Sequence, residues 1–338
     1  MTPIDGVDPQ EWYFSHGYTD GLPVVPPTPE KIEAMVAALG GEPDFLEARV
    51  PPRWGNLTRR VLAVNAVMAG CLPIYASVLR TAMRAMCESH FNLNAIQATT
   101  HVIAPLAIVN GPVRNQIGMN SGHGAFGPGN RANATIGRAV QLVVRNIGGG
   151  RPREVDRAAL GNPGKYSFCF AEDEEGSSWE PLSVTRGIAA GKSAVTAFAG
   201  YGMHSVVDQK SRDPESLSRS FAEAMKAVHN VKLAPSCDMM LVVCPEHDRT
   251  FRAAGWSKQK FYDRLYELCE IPAADLLSGA KGITEGRAKL PSTPTVNKLR
   301  PGGLLVTRAG GGAGMFSAII GGWSGDGASR PVTKEVRS

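Results

Sequence analysis

The spacing of apolar and polar residues along this chain predicts alternating helices and strands. In residues 131–146 the apolar side chains recur at helical spacing, from Ile136 to Val144, which is typical of an amphipathic helix. The same criterion predicts further helices at residues 29–39, 58–69, 74–88, 214–229, 246–253, 257–269 and 271–278. Short apolar or β-rich runs predict strands within residues 104–109, 166–174, 181–188, 193–200, 239–245 and 304–307.

This order of elements predicts an α/β protein with mixed sheets flanked by helices, built as two α/β halves that share one core. We expect an extended N-terminal arm with one helix over residues 1–57, because the prolines of residues 20–29 favour extended geometry. The first half then covers residues 58–156 and the second half covers residues 157–338. No charged linker of the kind that joins independent domains separates them.

Composition limits the binding partners and the cellular compartment that we expect. The 36 Lys and Arg residues only slightly exceed the 31 Asp and Glu residues and form no basic run, so we expect no nucleic-acid partner but a preference for small anionic substrates. Neither a signal peptide nor a run of about 18 apolar residues is visible, so we expect a cytoplasmic protein without a membrane partner. The six cysteines lack CxxC spacing, which favours reduced thiols. We also expect a homo-oligomer.

The glycine-rich loop at residues 118–130 is the first candidate site. It lies between a predicted strand and a predicted helix, where glycines let the backbone approach a ligand and the helix N-terminus offers free N–H groups to an anion. A structural turn with an exposed histidine is the alternative. The candidate substrate-binding residues in and beside this loop are Asn110, Asn120, Ser121, Gly124, Asn130, Arg131 and Asn133.

A second glycine-rich loop, residues 309–322, follows the strand that ends in LLVT. It departs from the dinucleotide-binding fingerprint because Ser317 stands where Gly or Ala belongs. The run RGIAAGKS at residues 186–193 is one residue too short for a phosphate-binding P-loop. We therefore predict no cofactor. The candidate substrate-binding residues here are Arg308, Gly311, Gly312 and Ser317, and a purely structural turn is again the alternative.

Three histidines are candidate acid/base residues, because an imidazole titrates near neutral pH. His123 and His204 lie among glycines, and His247 follows a strand end with Glu246 beside it. Cys71 is the cysteine that we expect near a helix N-terminus, which would lower its pKa; a buried, inert thiol is the alternative. A metal bound by these histidines and Glu246 is a further alternative, although no HExxH or HxH spacing supports it.

Three predicted strands lead directly into these candidates. Residues 104–109 precede the first glycine loop, residues 239–245 precede the Glu-His pair, and residues 304–307 precede the second loop. Ligands in open α/β sheets bind beyond the carboxyl ends of the strands. We therefore expect both loops to hold one anionic or carbonyl-bearing substrate, with Arg131 and Arg308 contacting the same anion.

Several phrases of the sequence, among which GPGNRANATIGRA is the most specific, resemble a bacterial family associated with UGSC selenoproteins. The others are YTDGLPVVPPTPEKIEAM, NAVMAGCLPIY, QATTHVIAPLAIVNGP, CPEHDRTF and GGAGMFSAII. That family is named after a selenocysteine or cysteine motif suited to thiol redox chemistry. Since this chain contains neither UGSC nor CGSC, the resemblance implies a scaffold or substrate-binding portion. Any redox group would then come from Cys71 or from a partner protein that carries cysteine or selenocysteine.

Together these observations predict a small-molecule enzyme with histidine acid/base chemistry. Its reaction class stays open between a lyase, a hydrolase and a thiol-linked reductase. One alternative is a non-catalytic substrate-binding or scaffold subunit of a complex with a Cys- or Sec-containing redox protein. A metal-dependent hydrolase is the other alternative.

Overall fold

The computed structural model describes residues 7–177, 179–234, 237–277, 292–324 and 329–337. Its α-helices are α1 Pro9–Ser15, α2 Pro29–Ala38, α3 Arg59–Ala69, α4 Ala76–Met86, α5 Leu93–Gln97, α6 Val113–Gln116, α7 Arg131–Asn146, α8 Leu182–Thr185, α9 Pro214–Ala227, α10 Pro245–Ala253, α11 Lys258–Leu268 and α12 Ala273–Leu277. Its strands are β1 Leu46–Val50, β2 Gly55–Thr58, β3 Ala104–Asn110, β4 Cys169–Ala171, β5 Ala194–Gly200, β6 Met203–Val207, β7 Cys237–Val243, β8 Glu270–Pro272, β9 Thr295–Asn297, β10 Leu299–Arg308, β11 Phe316–Ser324 and β12 Val332–Glu335. Short 3₁₀ helices lie at Pro73–Tyr75, Ser89–Phe91 and Pro163–Lys165.

These elements form mixed sheets flanked by helices, which confirms the predicted α/β fold class. The contacts divide the chain into two compact units. The first unit contains the described residues within Met1–Glu172, Ser183–Gly200 and Ser329–Ser338, and the second contains those within Asp173–Leu182 and Tyr201–Ala328. The predicted domain boundaries at residues 57 and 156 both fall inside the first unit.

The sheet of the first unit has the strand order β12-β5-β3-β4. Strand β3 pairs with β4 in parallel and with β5 in antiparallel orientation, and every residue of β3 is buried. Helix α4 packs against β5, and α7 packs against β3 and β4. Helix α7 begins where the Asn130 side chain accepts a hydrogen bond from the Asn133 N–H, as expected of an N-cap.

The sheet of the second unit has the strand order β10-β7-β11-β6. Strand β7 pairs in parallel with β10 and in antiparallel orientation with β11. Apolar residues of these strands share a core with helices α9, α10 and α11, where Phe221, Phe251 and Phe261 are fully buried. Since β7 lies between β10 and β11, the connection from β10 to β11 crosses the carboxyl end of β7.

Two predicted elements are wrong. Residues 181–188 were expected to form a strand, but they contain helix α8, whose last turn closes through the N–H of Gly187 onto the Val184 carbonyl. Glycine suits this end because Gly187 adopts a φ of +88°. The N-terminal arm contains α1, β1 and most of β2 besides the single expected helix, and α1 begins where the Asp8 side chain caps it.

The second glycine loop is shorter than expected. Of residues 309–322, those from Phe316 onward lie in strand β11. We call the remaining connection, residues 309–315, the β10–β11 loop. Across the described ranges, the helices lack the combination of length and apolar character that a membrane crossing requires.

Candidate functional site

The polar residues of the first glycine loop bond mainly to the loop itself. The Asn133 side chain donates to the carbonyls of Asn120 (2.8 Å) and Ala125 (3.2 Å) and accepts from the Asn120 N–H (3.1 Å). Asn130 donates to the Gly118 carbonyl, and Asn120 donates to the His123 carbonyl. These asparagines therefore hold the loop in shape.

Arg131 and Cys71 lie beside this loop, and the side chain of each donates a hydrogen bond to a backbone carbonyl. The Arg131 guanidinium donates through Nε and Nη2 to the Gly70 carbonyl, at 3.0 and 2.9 Å. The Cys71 thiol donates to the Thr135 carbonyl at 3.2 Å. Burial raises the pKa of Cys71 to about 12, because the thiolate would lose its hydration. This environment leaves the thiol protonated at neutral pH.

Other candidates of the sequence analysis are scattered. His123 and Gly124 are exposed and Ser121 is half-buried in the first unit, whereas His204 is exposed on strand β6 of the second unit. Asn110 is buried in the first unit, where its side chain donates to Glu172 at 2.6 Å. The two glycine loops belong to different compact units, so a single anion held by Arg131 and Arg308 stays a prediction.

The second unit contains a cluster around Cys244, which follows β7 directly. Cys244 is the N-cap of α10, and its Sγ accepts a hydrogen bond from the His247 N–H at 3.5 Å. The first helical position is Pro245, which favours a helix start because it has no N–H to satisfy. A helix N-terminus attracts negative charge, so this position favours a thiolate over a thiol.

The His247 ring is fixed at both nitrogens. Nε2 lies 3.0 Å from the backbone oxygen of Asp208, and Nδ1 lies 2.7 Å from the Ser317 hydroxyl oxygen. A carbonyl can only accept, so Nε2 carries a proton and Nδ1 is the nitrogen that gains or loses one. The Ser317 oxygen also accepts from the Cys244 N–H at 3.0 Å. Ser317 therefore contacts both other members of this group, which we call the Cys244 cluster: Cys244, His247 and Ser317.

The surroundings of the Cys244 cluster lower the pKa of the thiol and raise the pKa of the imidazole. Burial alone raises the pKa of Cys244, but hydrogen bonds from His247 and Ser317 and the nearby imidazole charge outweigh it, so the pKa lies below the ordinary thiol value. Burial tends to lower the pKa of His247, but Cys244 and the Asp208 carbonyl outweigh it and raise this pKa. A lowered thiol pKa and a raised imidazole pKa together favour proton transfer from the Cys244 sulfur to the His247 ring.

The β10–β11 loop adjoins this cluster. It starts beside β7, where the Ala309 N–H donates to the Val243 carbonyl, and the Glu246 side chain accepts from the Met315 N–H near its other end. Gly310 and Gly314 adopt φ values of +104° and +93°, which favour glycine. Among the described residues, the N–H groups of residues 310–314 have no hydrogen-bond acceptor. They are therefore available to a ligand that approaches this loop.

Arg308, expected to bind an anionic substrate, already contacts two carboxylates. Its Nη1 donates to Asp173 at 2.5 Å, and its Nε lies 3.2 Å from a carboxylate oxygen of Asp248. Asp248 is fully buried, and burial raises its pKa even though Arg308 and Arg252 oppose this shift. Arg308 thus joins strand β10 to helix α10 and holds the start of that helix against the sheet.

A further layer fixes the carbonyl that binds His247. The Asp208 carboxylate accepts from the backbone N–H groups of Lys210 (3.0 Å) and Ser211 (2.9 Å), and from the hydroxyls of Ser211 (2.6 Å) and Ser220 (2.5 Å). Burial works against ionisation here, but these four donors lower the pKa of Asp208 well below its usual range. These contacts of the side chain also hold the backbone oxygen of Asp208 toward the His247 ring.

The structure brings together two of the three strand ends that precede the predicted site residues. Strands β7 and β10 are parallel neighbours that end together, Val243 opposite Arg308, whereas β3 belongs to the sheet of the other unit.

Across the ranges that the structure describes, no three His, Cys, Asp or Glu side chains are grouped as metal ligands.

Sequence reasoning missed Cys244, which the structure places between two of its candidates. The signal was present in LVVCPEH, where a cysteine ends an apolar strand, a proline follows and a histidine stands three positions on. That spacing puts the histidine N–H within reach of the cysteine sulfur once a helix starts at the proline. The contact with Ser317 could not be predicted, because it depends on the order of strands.

Comparison with models of known protein families finds no match to this chain, and comparison with curated protein sequences finds no significant match either. The resemblance to the UGSC-associated family therefore stays a prediction.

Proposed function

We propose that the protein is a small-molecule enzyme in which the Cys244 thiolate is the nucleophile and His247 transfers protons. The observation that carries this proposal is the Cys244 cluster: a cysteine at a helix N-terminus, with a histidine ring held at both nitrogens. An activated cysteine nucleophile requires a positive environment and a nearby base. In the second unit, the N-terminus of α10 supplies the positive environment and His247 supplies the base.

The chemistry that fits this cluster is acyl transfer to sulfur. The thiolate forms a bond to a carbonyl carbon while the carbonyl π electrons move to oxygen, where N–H groups of residues 310–314 stabilise the developing negative charge. The carbonyl then re-forms, and the leaving group departs with the proton held by His247. Water hydrolyses the resulting thioester and restores the thiol. The net reaction converts an acyl compound and water into a carboxylic acid and the released group.

Of the reaction classes that the sequence left open, a hydrolase is favoured over a reductase with an internal disulfide by the distribution of activated thiols. A reductase that forms an internal disulfide needs a second reactive sulfur. In the described chain, burial raises the pKa of Cys71, Cys87 and Cys269 to about 12 in each case. Of the cysteines whose side chains the structure describes, Cys244 is the one whose pKa is lowered.

Access to the sulfur requires movement. Cys244 is only 1% exposed. The β10–β11 loop crosses the end of β7 at this point, and its glycines allow the backbone rearrangement that substrate entry needs. Release of the Glu246–Met315 contact frees the end of the loop nearest to the cluster.

An activated ester tests the proposal without knowledge of the natural substrate. Wild-type protein is incubated with 4-nitrophenyl acetate, and the release of nitrophenolate and the mass of each cysteine peptide are measured. We expect acetylation of Cys244, which Cys244→Ser loses and the control Cys71→Ser keeps. Equal release by wild type and Cys244→Ser would overturn the proposal and favour a non-catalytic binding or scaffold subunit.

A further inference from the structure

A separate cavity lies within the first unit, on residues that the proposed thiol chemistry does not use. Its volume is about 710 Å³. Its walls come from helix α7, from Gln97 at the end of α5 and from the segment 150–166. Its charged wall residues are Asp20, Arg145, Arg153, Asp156 and Lys165.

The most informative wall residue is Arg145, in the last turn of α7. Its side chain is half-buried, and among the described residues its Nε has no hydrogen-bond partner and its guanidinium forms no ion pair. The C-terminal end of the helix supplies partial negative charge but no hydrogen bond to Nε. Burial lowers the pKa of Arg145, and the charge of Arg151 lowers it further. Cations removed from water are usually paired, so a half-buried arginine at a cavity wall with an unsatisfied Nε indicates an anionic ligand.

A second donor in the same wall also lacks an acceptor. Gln97 is only 2% exposed, and within the described ranges no acceptor lies within hydrogen-bond distance of its Nε2. Two other amide side chains of the cavity wall do have acceptors. Gln141 donates to the Pro105 carbonyl at 3.0 Å, and Asn162 donates to the Val102 carbonyl at 2.8 Å. A buried amide donor without an acceptor is destabilising, unless a ligand supplies one.

The acidic residues of the cavity are already committed to other partners. Asp20 forms an ion pair with Arg138 at 2.8 Å. Asp156 accepts from Lys165 at 2.6 Å and from the Ala158 N–H at 3.0 Å. Neither carboxylate hydrogen-bonds to Arg145, although the negative charges of Asp20 and Glu154 partly offset the effect of burial on its pKa.

Apolar groups adjoin these donors. Val144 and Ala158 line the cavity, and the Tyr166 ring lies at its exposed side. An inorganic ion would use the donors but leave this surface uncovered, whereas an organic acid would use both.

We propose that this cavity binds a small organic carboxylate. Arg145 Nε and Gln97 Nε2 are shielded from solvent in this structure, so the two side chains turn toward the ligand to donate to its oxygens, and its apolar body packs beside Val144 and Tyr166. A planar guanidinium matches a carboxylate with two parallel hydrogen bonds, which makes Arg145 the main anchor. The exposed Arg153 at the same cavity adds positive charge that draws anions toward it.

The test is a calorimetric titration with sodium benzoate and, separately, with inorganic phosphate at constant ionic strength. We expect saturable binding of benzoate to the wild type, weakened by about tenfold or more in Arg145→Gln and in Gln97→Leu. The control Arg157→Gln removes the same charge from an exposed position outside the cavity and should bind as the wild type does.

Thermal unfolding without ligand supplies an independent readout. Because Arg145 lacks a partner, we expect Arg145→Gln to unfold at the same temperature as the wild type or at a higher one. The proposal is overturned if benzoate does not bind saturably, if only phosphate binds, if benzoate binds Arg145→Gln unchanged, or if that variant is strongly destabilised.

Discussion

Ser317 fixes the imidazole of His247, because its hydroxyl oxygen lies 2.7 Å from the ring nitrogen Nδ1. The same oxygen accepts a hydrogen bond from the Cys244 N–H, so one side chain contacts both the Cys244 backbone and the His247 ring. Ser317 comes from strand β11, whereas the other two residues come from the start of α10. The cluster therefore exists only when β11 is paired beside β7.

Replacement of Ser317 by alanine should weaken both the fold and the thiolate. Cys244 N–H and His247 Nδ1 would lose their partner in a buried place, which costs about 1–3 kcal/mol of unfolding free energy. Denaturant unfolding measures this loss, and alkylation of Cys244 should slow in the same variant. Ser205→Ala is the control, because Ser205 is an exposed serine of the neighbouring strand β6. Equal behaviour of both variants would remove Ser317 from the cluster.

His247→Gln should slow the reaction of Cys244 with iodoacetamide. Loss of the imidazole removes the charge that favours the thiolate, so the thiol pKa rises toward its ordinary value and the rate at pH 7 falls by about tenfold or more. Peptide mass spectrometry after timed alkylation measures this rate. His204→Gln, which changes an exposed histidine of the same unit, should react as the wild type does. An unchanged rate in His247→Gln would refute the ion pair.

Asp208→Asn should reduce stability in a pH-dependent way. The pKa of Asp208 is lowered in the folded protein, so its ionised form contributes stability above the unfolded pKa and this contribution is lost as the pH falls through the folded pKa. We expect a loss of about 1–3 kcal/mol at pH 7, which shrinks below about pH 4. Urea unfolding at several pH values measures it. A difference that persists unchanged at pH 3 contradicts this assignment.

The stability of the first glycine loop should depend on the Asn133 side chain rather than on the His123 side chain. Asn133→Ala removes three hydrogen bonds that join the loop to α7, and we expect a loss of about 1–3 kcal/mol of unfolding free energy. His123→Gln changes an exposed ring and should leave the unfolding temperature unchanged. Thermal unfolding compares the two. A larger loss in His123→Gln would show that the loop is held in another way.

Local sequence pattern was sufficient for much of the fold. The predicted helix at 131–146 coincides with α7, because Asn130 caps its start and its apolar positions face a buried strand. Residues 181–188 were harder, since a β-rich composition does not reveal that a turn closes at Gly187. The division into units also lies beyond local pattern, because residues 183–200 return to the first unit after residues 173–182 enter the second.

The candidate site could be predicted only in part. His247 and Ser317 were selected from their positions after a strand and in a glycine loop, yet the contact between them depends on the crossing of β7 by the β10–β11 loop. Cys71 and Cys244 look equally apolar in the sequence. Tertiary packing separates their pKa values: burial outweighs the charge of Arg131 at Cys71, whereas His247 and Ser317 outweigh burial at Cys244.

The most direct test of the central claim compares Cys244 with Cys87 in one native sample. Cys87 is the more exposed of the two, but burial and Glu88 raise its pKa to about 12. Site-resolved alkylation with iodoacetamide is followed from about pH 5 to pH 9, across the ordinary thiol range. A thiolate at Cys244 predicts that this buried residue reacts first, with a midpoint below the ordinary thiol pKa. Reaction of Cys87 before Cys244, or reaction of Cys244 only above that pKa, would contradict the account.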